Sequence, residues 1–273
     1  MQIEKGIHLF HGNCLEVLKK IPSNSVDMFF FSPPYDELRD YNGFSLDLPN
    51  LGKEIERTLK DGGVAAMVIQ DSTNDFKKSG TTFRTIVNWL DNTELKLWEC
   101  NIYNRKATPG AWWTYRFSVD HEYIPIFFKG KRPQHFDKEH MKIVNPNAGK
   151  KINGSVRGKD GDLIPLQCTT NEMMCCGTVQ HYSNSKRERP KDWHLKKQHP
   201  ATFPEKLTSD YIQAFTRQGM LVIDPFVGSG TTAVQCKKLD RKFVGIDVSE
   251  EYLEITKERL AFCERLVERL IDG

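Results

Sequence analysis

Leu221-Val222-Ile223-Asp224-Pro225-Phe226-Val227-Gly228-Ser229-Gly230-Thr231-Thr232 is the stretch that decides the fold. It reads as a short apolar strand running into a glycine turn. From Thr231 onward, Ala233, Val234, Cys236 and Leu239 fall at helical spacing. Glycines let backbone approach a ligand closely, and the amides of a helix N-terminus stand beside them. One β-α-β unit later, residues 243–247 read as a second strand that ends in Asp247, where a carboxylate suits the two hydroxyls of a ribose. Residues 221–247 therefore read as a nucleoside-cofactor site. Gly228-x-Gly230-x-x-Ala233 also fits the loose dinucleotide fingerprint, which makes a hydride-transfer enzyme a rival. Only 26 residues follow Asp247, enough for one helix, so the usual continuation of a dinucleotide domain is missing. A P-loop is not expected, because no Gly-Lys-Ser/Thr follows.

Near the other end, the apolar run 26–31 meets Ser32-Pro33-Pro34-Tyr35. Two prolines lack N–H groups and have fixed φ, so the chain must leave the sheet there as a stiff loop. The carboxyl edge of a strand is where open α/β sheets bind ligands. This loop offers a hydroxyl, unclaimed carbonyls and an aromatic face, the parts needed to grip a flat ring bearing an amino group. The plain alternative is a rigid turn.

Taken together, Ser32-Pro33-Pro34-Tyr35 and Asp224-Pro225-Phe226-x-Gly228-Ser229-Gly230-Thr231-Thr232 resemble the bacterial DNA amino-methyltransferases that use S-adenosylmethionine. The order, catalytic motif first and cofactor motif last, is similar to their beta class. Further matches are residues 12–18, 59–63 and His199-Pro200-x-x-Phe203-Pro204. Asn13 departs from the family's usual Asp; it keeps an acceptor and adds a donor. The resemblance implies a circularly permuted, doubly wound, mostly parallel seven-stranded sheet of the Rossmann-like methyltransferase kind, with an inserted target-recognition region. It also implies S-adenosyl-L-methionine contacts at Asn13, Cys14, Thr202, Phe203, Asp224, Phe226, Gly228, Ser229, Gly230, Thr231 and Asp247. Ser32 Oγ and the Pro33 carbonyl would hold the two amino protons, Pro34 would fix that carbonyl, and Tyr35 would stack on a flipped base. Ser rather than Asp at position 32 favours cytosine N4 over adenine N6 as the acceptor. A DNA-binding protein with a vestigial cofactor fold is the non-enzyme alternative. Duplex DNA is the implied partner, with room for a homodimer and for a companion restriction endonuclease acting independently.

Charge distribution points the same way. Residues 130–198 carry fourteen Lys/Arg against seven Asp/Glu, a local +7; with a whole-chain charge of +3, the remainder carries −4. A basic segment on a mildly acidic body suits phosphate contact, although such runs are more commonly solvated insertions. Lys186, Arg187, Arg189 and Lys191 are its densest cluster. Trp112, Trp113, Tyr115, Arg116 and Phe117 either contact DNA and the base or pack the sheet end. The expected domains are 1–129 as the catalytic half, 130–198 as the basic insertion and 199–273 as the cofactor half. Within them, strands are expected at 7–10, 26–31, 64–70, 95–103, 121–129, 221–226 and 243–247, with helices at 15–20, 48–59, 82–90 and 250–270.

Composition excludes other classes. No apolar stretch approaches the roughly 20 residues of a membrane span, and the polar start is no signal peptide, so a cytoplasmic protein is expected. Seven cysteines without Cys-x-x-Cys spacing read as reduced thiols. Cys168, Cys175, Cys176 and His181 are poorly spaced for zinc, and no metal is expected. No Pro-Cys pair occurs, which excludes the nucleophilic motif of the ring-carbon cytosine methyltransferases.

Overall fold

The computed structural model describes residues 6–34, 46–74, 76–105, 117, 119–183, 189–199 and 202–271, apart from the side chains of 74 and 265–271. The chain divides into two compact units, Met1–Phe136 with Thr178–Gly273, and Asp137–Gly177. The larger unit begins with β1 (Ile7–His11), α1 (Cys14–Leu18), β2 (Val26–Phe31), α2 (Leu48–Thr58) and β3 (Leu59–Met67). A two-rung ribbon of β4 (Thr73–Asn74) and β5 (Lys77–Lys78) follows, then α3 (Thr81–Asn92), β6 (Lys96–Asn104) and β7 (His121–Phe128). The smaller unit holds β8 (Lys142–Val144), β9 (Lys151–Arg157), β10 (Leu163–Thr169) and β11 (Met173–Cys175). Back in the larger unit come β12 (Val179–His181), α4 (Trp193–Lys196), α5 (Glu205–Phe215), β13 (Leu221–Asp224), α6 (Thr231–Lys238), β14 (Lys242–Asp247) and α7 (Glu250–Ile271).

The main sheet runs β1-β14-β13-β2-β3-β7-β6-β12. It is parallel from β1 to β3, with β7 antiparallel to both β3 and β6. This is the doubly wound, mostly parallel sheet that the alternation of elements implies. Its seven expected strands are joined by an eighth, β12, which pairs parallel with β6. Every residue of β2 is buried, as a central strand covered on both faces requires. The two-residue period assigns those faces. Phe29 and Phe31 join the cluster of Leu51, Ile55, Trp89, Ile223 and Ile246 on the side of α2 and α3, whereas the Phe30 ring meets Tyr211 of α5. Helix α2 starts at Asp47, whose carboxylate accepts from the Asn50 amide at 3.1 Å. Gly52 is what lets Trp89 lie against it: a Cβ there would stand 2.6 Å from the indole, whose Nε1 donates to the Leu48 carbonyl at 2.9 Å.

Three of the elements that the sequence left unread bear on the main sheet. Residues 59–63, expected only as a lead-in, are the first half of β3: Gly62 donates to the Lys129 carbonyl and accepts from the Gln134 amide, so tertiary pairing extends the strand. Helix α5 and strand β12 are fastened by polar side chains that carry no strong periodicity. Tyr211 Oη donates to Gln180 Oε1 at 3.0 Å, Asn101 Nδ2 donates to Tyr211 Oη at 2.8 Å, and Tyr182 Oη donates to Asp210 at 3.1 Å. Among the described residues, no helix is long and apolar enough to cross a membrane.

Candidate active site

Four adjacent parallel strands deliver their carboxyl ends to one cleft. Gly12, Asn13 and Cys14 follow β1, Asp247 ends β14, Asp224 ends β13, and Ser32, Pro33 and Pro34 follow β2. The chain leaves β13 toward β14 and leaves β2 toward β3, in opposite directions along the sheet. The cleft therefore lies at the topological switch point, where open α/β sheets bind ligands. Including its open mouth and the solvent in it, the cleft encloses about 970 Å³.

The glycine loop forms its floor. Gly228 and Gly230 have φ of +49° and +75°, in the left-handed region that glycine adopts without strain. A Cβ on Gly228 would stand 2.9 Å from the His199 ring, and one on Gly230 would stand 2.6 Å from the Thr256 side chain. The loop is anchored from behind by α7. Thr256 Oγ1 donates to the Gly228 carbonyl at 2.8 Å, and Arg259 Nη1 donates to the Ser229 carbonyl at 2.6 Å. Arg259 is fully buried and ties three segments together, because Nε also reaches Asp192 at 2.6 Å and Nη2 reaches Glu205 at 2.7 Å. Lys196, equally buried, donates to the Phe203 carbonyl at 2.8 Å; burial, partly offset by Glu205, lowers its ammonium to about 8. Buried cations thus set the backbone of two walls of the cleft, the Ser229 turn and the Phe203 segment.

Two carboxylates give the cleft its charge. Asp247 Oδ2 accepts the Gly228 amide and Oδ1 the Ser249 amide, both at 2.9 Å. Burial raises its pKa although these amides pull the other way. Asp224 accepts the Phe226 amide at 2.9 Å and the Thr232 hydroxyl at 2.7 Å. Its burial, with the nearby charge of Asp247 adding to it, pushes it up to about 7. Cys14 is also buried, and its thiol is pushed up to about 11, so it lines the cleft uncharged. Asn13 Oδ1 caps α1 by accepting the Leu15 amide at 2.9 Å, so the acceptor that Asn shares with Asp serves the helix.

Of the eleven residues expected around the cofactor, ten line this cleft. Gly230 lies behind it, packed on Thr256. Ser32 and Pro34 are half-buried and Pro33 is buried. Tyr35, Trp112, Trp113, Tyr115, Arg116, Lys186 and Arg187 lie outside the described residues. Arg189 and Lys191 are exposed, the former with its guanidinium 4.5 Å from the Trp193 ring centre, and Phe117 is exposed. Sequence reasoning missed Leu46, Val248 and Tyr252 in the lining, where the Tyr252 and His199 rings meet edge to face at 4.4 Å. It missed Arg259 too. The available signal was a charged residue in line with Leu253, Thr256 and Cys263 on the buried stripe of α7, a place where arginine stays only if fully paired.

The sequence model of a family described as "DNA methylase", of the N6/N4 type, matches residues 26–258. The orphan methyltransferase M.BamHII of Bacillus amyloliquefaciens is 33% identical over 240 residues, covering 86% of this chain and 89% of that protein. The type II methyltransferase M.HpaI of Haemophilus parainfluenzae is 27% identical over 252 residues, covering 92% and 73%. Among solved structures, the PvuII DNA methyltransferase, named cytosine-N4-specific, superposes with a TM-score of 0.71 at 19% identity, covering 98% of this chain and 93% of that one. The complex of M1.HpyAVI with SAM superposes with a TM-score of 0.58 at 20% identity, covering 93% and 99%. The chain belongs to the N6/N4 DNA methylase family, and the beta-class resemblance read from the two motifs is borne out.

Proposed function

We propose that the protein transfers a methyl group from S-adenosyl-L-methionine to the exocyclic N4 amino group of a cytosine flipped out of duplex DNA, at a specific sequence, as the modification activity of a restriction-modification system. The observation that carries this reading is the placement of Ser32, Pro33 and Pro34 in the same cleft as the glycine loop. The cleft fits the donor. Gly228 lets the loop lie against the His199 ring, where any side chain would collide, Asp247 at the carboxyl end of β14 would take the ribose hydroxyls, and the two carboxylates in the lining would suit a cofactor that carries a sulfonium and an ammonium. When bound, that cofactor supplies an electrophilic methyl group.

An exocyclic amino nitrogen is a poor nucleophile because its lone pair is delocalised into the ring. Ser32 Oγ and the Pro33 carbonyl accept hydrogen bonds from its two N–H groups, draw the nitrogen toward a tetrahedral shape and aim the lone pair; as the N–C bond forms, the S–CH3 bond breaks to leave a neutral thioether, and one N–H proton passes to solvent. This is catalysis by preorganised acceptors and alignment, without a covalent enzyme intermediate. Flipping the base costs a few kcal/mol, offset by stacking on Tyr35 and by phosphate contacts from the basic stretch 130–198, Arg189 and Lys191 among them. Serine at position 32 and the name of the PvuII enzyme support cytosine.

Modification-sensitive sequencing of DNA from cells that express the protein tests this directly. N4-methylcytosine at one motif is expected. Methylated adenine would overturn the choice of base, and unmodified DNA would overturn the enzyme. Ser32→Ala should slow single-turnover transfer roughly a hundredfold or more while sparing cofactor affinity, and a loss of less than a few fold would remove Ser32 from the mechanism.

A further inference from the structure

The β9–β10 hairpin of the smaller unit has two faces of opposite character. Its register pairs Arg157 with Leu163, Ser155 with Pro165, Asn153 with Gln167 and Lys151 with Thr169 on one side. Val156 with Ile164, Gly154 with Leu166 and Ile152 with Cys168 fall on the other. All the polar side chains of both strands therefore share one face, while the second is wholly apolar. All fourteen strand residues are exposed. Among the described residues, the side chains of Lys151, Asn153, Arg157 and Gln167 make no hydrogen bond or ion pair. An isolated two-stranded ribbon is marginally stable in water, and its polar face, exposed and without partners of its own, is open to an external one.

We propose that the polar face of the β9–β10 ribbon enters the major groove of the DNA substrate and reads base edges through Asn153, Arg157 and Gln167. The major groove, about 12 Å wide, admits a two-stranded ribbon. Asn and Gln match adenine and Arg matches guanine in bidentate geometry, and Ser155 and Thr169 suit either. Same-face residues recur about every 6.8 Å, close to twice the base-pair rise of about 3.4 Å, so Lys151 to Arg157 spans about six base pairs. Charge agrees along the strands: residues 150–169 carry four basic groups against two acidic ones, and Asp160 and Asp162 are confined to the turn beside Lys159. The apolar face fits a protein surface and offers bases only methyl contacts, so it serves as the control.

This inference rests on the DNA methyltransferase reading, and the experiment separates the two. Motifs methylated in cells are mapped for the wild type, Asn153→Ala, Arg157→Ala, Gln167→Ala and the apolar-face variant Ile164→Thr, with cofactor affinity measured for each. Each polar-face variant should relax the motif at one or two positions, lowering discrimination there about tenfold. Asn153→Ala and Gln167→Ala should leave the salt slope of duplex binding unchanged, since neither side chain neutralises a phosphate. Where a variant loses methylation altogether, duplex binding is compared: loss confined to the polar-face variants supports the proposal, and equal loss in Ile164→Thr overturns it. Unaltered motifs in all three polar-face variants also overturn it while leaving the enzyme intact. A wild type that methylates nothing brings down the underlying reading instead.

Discussion

The glycine loop at residues 228–230 and the β9–β10 ribbon are built in opposite ways. Behind the loop, backbone carbonyls are held by a buried arginine and a buried threonine, and an added methyl group would collide. Along the ribbon, the side chains of Lys151, Asn153, Arg157 and Gln167 have no hydrogen-bonding or ionic partner among the described residues, and Gly154 has nothing within 4 Å of where its Cβ would stand. A site that must be shaped before its ligand arrives spends its interactions internally. A surface meant for a partner keeps them free, and that difference dictates where substitutions should hurt.

The largest effect is expected at Arg259. Arg259→Met removes one cation from a buried network, leaving Asp192 without its ion-pair partner and Glu205 with only Lys238 and Gln235, which should cost about 3–5 kcal/mol of stability in urea unfolding. A cost under 1 kcal/mol would show that the loop does not depend on its anchor. Next comes a matched pair of glycine substitutions. Gly230→Ala combines a left-handed φ with a contact at 2.6 Å and should cost about 2–4 kcal/mol, whereas Gly154→Ala should be neutral or stabilise slightly. Equal costs would erase the contrast between loop and ribbon.

A third test uses pH. The Asp224 pKa is pushed up to about 7 in the folded state and is ordinary in the unfolded chain, so between the two the native state binds the extra proton. Its contribution is fully present below about pH 4 and is lost as pH rises through about 7, with a slope of at most about 1.4 kcal/mol per pH unit. Asp224→Asn should flatten the stability profile over that window. A cationic cofactor favours the ionised carboxylate, so calorimetry near pH 7 in buffers of different ionisation enthalpy should detect proton release on binding, and its absence would place the cofactor charge away from Asp224.

The same contrast explains what could be read from the sequence. Prolines at 33 and 34, glycines at 228 and 230 and acids closing two apolar strands are dictated by backbone geometry, so the cleft was legible. Arg259 and Gln180 act through partners 30 and 31 residues away in the chain and Lys196 through a carbonyl seven residues on, and no local period marks them. The ribbon's alternation was present in residues 151–157 and 163–169, but Lys, Asn, Ser and Gly among the apolar positions read as a solvated insertion. Only pairing shows that two weak patterns share a face.

The smallest effect belongs to the ribbon's apolar face. Ile164 is 53% exposed, so Ile164→Thr forfeits little burial and keeps a β-branched side chain suited to a strand. Stability should change by no more than about 0.5 kcal/mol, the usual range for surface sites, and cofactor affinity should not change. Urea unfolding monitored separately from calorimetric binding would show this. A loss of 2 kcal/mol or more is the cost of uncovering a buried isoleucine, and would mean that this face is covered in the working protein. The ribbon would then belong with the glycine loop, as a part held from within, and its freedom from internal partners would hold for the polar face alone.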